Sequence, residues 1–91
     1  MTGVELIAQE RQRQIEVEGW TAEHDDEHTD HQLAWAALAY ARPDSFMRIH
    51  VPSFWPWTDS WWKPSQDPVR NLVKAGALIA AEIDRLQRIK T

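Results

Sequence analysis

The chain predicts an all-α domain of three helices, with a long Trp- and Pro-rich loop between the second and the third. Three observations carry this reading. Helix-capping signals stand at Thr2, Thr29 and Asp67, apolar residues recur three and four apart after each, and only Arg48-Ile49-His50-Val51 could form a short strand.

Helix one is expected over residues 3–18. Thr2 and Glu5 form a capping box, in which a hydroxyl and a carboxylate satisfy two free amides at the helix start. Val4, Ile7, Ala8, Arg11 and Ile15 give a narrow, broken apolar stripe, while Glu10, Gln14 and Glu18 form a separate polar row. Gly19 supplies the left-handed residue that ends many helices, which places Trp20 to fold back on the last turn. A second capping box, Thr29 with Gln32, opens helix two over 30–41. From Leu33 to Ala41 it is almost wholly apolar, the pattern of a helix surrounded on every side, and Pro43 stops it. Asp67 and Pro68 set an N-cap and a first-turn proline for helix three, over 68–90. There Leu72, Ile79, Ile83 and Leu86 form one seam with Gly76 in line, and Ala77, Ala80 and Ala81 a second face. Helix three is longer than helix two can cover, so part of it should meet another chain.

The loop, residues 43–67, carries Phe46, Phe54, Trp55, Trp57, Trp61 and Trp62, too much apolar area to leave in water. It should pack on the helices or on another subunit.

Ninety-one residues make one small domain with a marginal core. The apolar share of 43% and charged share of 26% are those of a folding chain. Without cysteine, stability must come from a metal held by His and carboxylate or from self-association, and a homo-oligomer is the expectation. A net charge of −4 argues against duplex DNA as a partner. No signal peptide and no membrane span is legible, so a cytoplasmic location and no membrane partner are expected.

Between Glu18 and His31 the chain concentrates five carboxylates after Trp20 and three imidazoles. His24, His28 and His31 are spaced four and three apart, and His24, Asp25 and His28 are candidate ligands for a divalent metal (magnesium, manganese or zinc), because neutral imidazole and ionised carboxylate both coordinate such ions. The plainer explanation is that Asp25, Asp26 and Asp30 serve as caps, favoured by the dipole of the following helix. The second candidate is Trp55-Pro56-Trp57 with Trp61-Trp62-Lys63-Pro64. Prolines hold the backbone extended, so the indoles are preset to stack on a planar base or a cation while Lys63 meets a phosphate. Against this, tryptophans are also what an alanine-rich domain needs to fill its core or a subunit interface. Arg70 and Lys74, four apart near the start of helix three, could meet an anion. No serine has the His and Asp company of a hydrolytic nucleophile.

Two resemblances follow. Glu23 to Asp26 and Glu27 to Asp30 each give Glu-x-x-Asp, loosely similar to helical nucleotide pyrophosphohydrolases of the MazG kind, which hold magnesium between facing helices. That likeness implies a metal-dependent nucleotide hydrolase using Glu10, Glu18, Glu23, Asp25, Asp26 and Glu82, although the chain has no Glu-x-x-Glu. The Glu18-Gly19-Trp20-Thr21-x-Glu23-His24-Asp25-Asp26-x-His28 turn, the Trp55 to Pro64 loop and Asn71 to Ile83 together resemble a family of small uncharacterised proteins of tailed phages and prophages. This likeness implies a phage protein working inside the host cell and no established activity. It puts Trp20, Glu23, His24, Asp25, Asp26 and His28 in the signature, with Asp30-His31 standing where a small residue or glycine is expected.

The leading expectation is a binding protein with no catalytic residue, which recognises a nucleotide-like ligand or a host protein. Its site would combine Trp20, Glu23, His24, Asp25, Asp26 and His28 with Trp55, Trp57, Trp61, Trp62 and Lys63. The alternatives are the hydrolase and a purely structural clasp in which His24 or His28 ties helix one to helix two.

Overall fold

A computed structural model describes residues 1–45 and 50–89. Within them lie α1 (Gly3–Glu16), α2 (Ala22–Asp25), α3 (Gln32–Ala41), a 3-10 turn (Asp59–Trp61) and α4 (Pro68–Arg88), with no strand. The all-α class holds, and the one-turn α2 is an addition to the three helices expected. Phe46 falls outside the described residues, and so do Arg48 and Ile49 of the candidate strand, whose other two residues, His50 and Val51, are in no strand. No described helix is long and apolar enough to cross a membrane.

The spine is α4, onto which α1 and α3 both pack. Its inner face presents Ala75, Leu78 and Ala81 to Leu33, Ala36, Ala37 and Tyr40 of α3, all buried. Small side chains on both helices let the backbones approach closely, and the bulk that alanines lack is supplied by Trp55, Trp57 and Trp62 of the loop. The larger aliphatic seam of Leu72, Ile79, Ile83 and Leu86 faces outward.

Three expectations are corrected. Helix α3 is not surrounded: Trp35 and Leu38 are each 47% exposed. α4 covers one side, and from the described part of the loop Phe54 is tilted against Trp35 at 5.9 Å. Next, α1 packs chiefly through its polar row, with Glu10 and Gln14 buried, while of its apolar stripe Ile7 meets α4 and Val4 stays outside. Glu10 is affordable there because Arg13 and, across the interface, Arg70 at 2.7 Å grip its carboxylate. Burial alone would raise that carboxyl, and the two guanidinium groups outweigh it and hold it below its ordinary range. Ile7 takes the space over Gly76, where a Cβ would lie 2.5 Å from its Cδ1. Finally, the capping box at Thr29 does not form. α3 starts at Gln32 after His31, whose φ of 62° is left-handed, and the Gln32 carboxamide oxygen accepts instead from the Asp30 amide at 2.8 Å. The segment before α3 is spent on a tight turn, so no straight entry remains for Thr29 to cap.

Both other caps form as read. Thr2 and Glu5 close their box, and Asp67 accepts from the Val69 amide at 2.9 Å.

Candidate ligand-binding pocket

The pocket begins where α1 stops. Gly19 takes a left-handed φ of 74°, and the Trp20 amide then donates back to the Gln14 carbonyl at 3.0 Å, fixing the indole beside the helix end. Thr21 caps α2 by accepting from the His24 amide. That single turn sorts its side chains by direction. Asp25 points inward, fully buried, and accepts from Arg11 at 2.6 Å. His24 points the other way and lies parallel to the Trp20 ring, 5.9 Å between centres. His28, one turn later, stands edge-on to His24 at 4.9 Å.

The loop arrives from the opposite side. Trp55 is its anchor, buried against Tyr40 and Trp62 at 5.8 and 5.1 Å, with its indole N–H donating to the Thr58 carbonyl at 3.2 Å. The Tyr40 hydroxyl accepts from the Lys63 amide, and Lys74 Nζ donates to the Lys63 carbonyl at 2.9 Å. Farther along, Ser65 and Asn71 exchange two hydrogen bonds, 2.7 and 2.8 Å, that fasten the loop's end to α4. Trp57 is thereby brought to 5.2 Å from His28 and 6.3 Å from Trp20.

Trp20, His24, His28, Trp57, Thr58 and Trp61 line an open hollow of about 220 Å³. The acidic-histidine turn and the Trp loop therefore converge. The His28 Nε2 and Trp57 Nε1 atoms are buried and have no hydrogen-bond partner among the described residues, a state that costs roughly 1–3 kcal/mol per group. Trp62 Nε1 is in the same condition, within the core. Burial, reinforced by the neighbouring His24, pushes the His28 imidazole below its ordinary pKa, which favours the neutral ring. Outside the hollow, Lys63 Nζ sits 5.7 Å over the Trp61 ring.

The remaining site candidates divide differently. Trp55 and Trp62 belong to the core rather than to the hollow. The carboxylates do not line it: Asp25 is committed to Arg11, Asp26 to Arg88 at 2.7 Å, and Glu23 is exposed. Glu10 and Glu18 are held by Arg13, and Glu82 by Arg85 at 2.7 Å with His31 at 3.4 Å. Among the described residues no group of three His, Asp or Glu side chains is placed to hold a metal ion. His24 and His28 are neighbours, but the Asp25 carboxylate, 3.2 Å from His24 Nδ1, is turned toward the interior. Within the crowded turn, Asp25 and Asp26 thus have their positive counterparts in Arg11 of α1 and Arg88 of α4. Thr58 is the lining residue that sequence reasoning missed, and its place after Trp57 was the one available signal.

No protein-family model matches the chain, and neither a curated protein nor a solved structure is similar to it.

Proposed function

We propose that the chain is a binding protein for a nucleotide-like ligand, whose flat heterocycle enters the hollow between Trp20, His24, His28 and Trp57 and whose phosphate lies outward against Lys63. What supports this is the lining itself, with aromatic faces on several sides and the Thr58 side of the loop between them. Apolar walls with a few convergent polar groups are the usual make-up of small-molecule sites. The volume is below the ~300 Å³ at which drug-sized pockets begin, which suits one base. Stacking on an indole contributes about 1–3 kcal/mol per base, and any base has a face to offer. No carboxylate lines the hollow, which disfavours a cationic guest, and the nearby ammonium of Lys63 favours an anionic tail.

The test is a titration with mono-, tri- and cyclic nucleotides, read by tryptophan fluorescence. A saturable change with one ligand per chain is expected, weakened about 5- to 150-fold in Trp57→Ala and weakened in Lys63→Ala in a salt-dependent way. Absence of a saturable response to every nucleotide would overturn the reading and leave a protein partner to be sought.

A further inference from the structure

A different surface makes a separate demand. On α4, Leu72, Ile79, Ile83 and Leu86 are 56, 48, 51 and 46% exposed, although they share one side of the helix and form the longest apolar row in the chain. The row runs 72-76-79-83-86, the alternating four-and-three spacing of helices that pack lengthwise on one another. No charged residue falls within it. Its one small member, Gly76, is filled in by Ile7 of α1, so the strip is continuous.

Four half-exposed Leu and Ile side chains leave on the order of 350 Å² of apolar surface in water. Val69 and Val4, 55 and 79% exposed, the latter one turn from Ile7, bring the patch to roughly 500–600 Å², the upper end of what monomers show. A standard interface takes about 800 Å² from each partner, so this strip with a polar margin is the right size for one.

We infer that a second copy of the chain covers this strip with the same strip of its own, the two α4 helices running antiparallel about a two-fold axis beside Ile79. Three features select that occupant. The row is centred on Ile79, so reversing it places Leu72 opposite the second copy's Leu86 position and Ile83 opposite the Gly76–Ile7 position, large against filled small, as an isologous contact requires. An uncharged row with no side-chain donor or acceptor gives a polar partner nothing to bond. Antiparallel helices also oppose their dipoles favourably. The pocket residues take no part, so this inference stands apart from the ligand reading.

Sedimentation equilibrium on the full chain tests it. The wild type is expected to be dimeric in the micromolar range, and Ile79→Glu and Ile83→Glu should each weaken the dimer at least roughly tenfold, with the helical circular dichroism retained. Because the chain has no cysteine, mixing Leu72→Cys with Leu86→Cys chains in equal amounts under mild oxidation reads the direction without a disruptive charge: the mixed disulfide should clearly exceed the one-half share that random pairing gives. A wild-type monomer throughout the range would overturn the inference, as would an oligomer indifferent to both glutamates. Predominant Leu72→Cys homodisulfides would overturn the antiparallel arrangement.

Discussion

His28 and Trp57 come from segments almost thirty positions apart in sequence, yet their rings stand 5.2 Å apart and each keeps a buried nitrogen without a hydrogen-bond partner among the described residues. Their rings are adjacent walls of one hollow, with those of Trp20 and His24 beside them.

The imidazole gives a pH signature. Burial lowers the His28 pKa below its ordinary 6.5, so the unfolded chain binds more protons than the folded one just below that value. Stability is therefore full above about pH 6.5 and falls as the pH drops through the lowered folded value. Thermal melts between pH 7.5 and 5 should show a decline in the wild type that is smaller in His28→Gln.

Asp25 and Arg11 make the tie on which α2 depends. With the carboxylate fully buried and the guanidinium nearly so, Arg11→Ala strands a charge and should cost on the order of 3 kcal/mol. Arg11→Met with Asp25→Leu removes both charges and should recover most of that loss in urea unfolding.

How much of this could be read in advance depended on how local each cause was. The caps at Thr2 and Asp67 were legible because both partners lie within a turn of each other. The box at Thr29 failed because Gln32 found a nearer amide, at Asp30. α2 was not legible, since a four-residue helix owes its existence to Arg11 below it and Trp20 beside it. Nor could the sequence tell clamped carboxylates from free ones, because Arg88 reaches Asp26 from the far end of the chain. The tryptophans were recognisable as a group, but their division, with Trp55 and Trp62 inward and Trp57 and Trp61 at the hollow, depends on the 3-10 turn between them.

His31 holds a left-handed backbone that a side chain resists by about 1–2 kcal/mol. A glycine or small residue was expected there on resemblance, and the positive φ supplies a physical reason for glycine. Substitution should rank glycine at or above histidine, then alanine, then valine, in urea midpoints. Valine should lie at least ~1 kcal/mol below glycine.

Gly76 should show a reversal of sign. Alone, Gly76→Ala drives a methyl into Ile7 and should cost about 1–2 kcal/mol, overpacking exceeding the helix-propensity gain. In an Ile7→Ala background the clash is gone, and the same substitution should stabilise by up to ~1 kcal/mol. Urea unfolding of the four chains closes this cycle.

The most direct test watches the Trp57 indole N–H itself, by nitrogen-15 resonance assigned through Trp57→Phe, while a nucleotide is titrated in. A flat ring seated beside the indole should shift that proton through its ring current, in step with the fluorescence change and with a matching perturbation of the His28 ring. If the fluorescence saturates while both the Trp57 proton and the His28 ring stay where they were, the ligand binds elsewhere and the hollow is not its site.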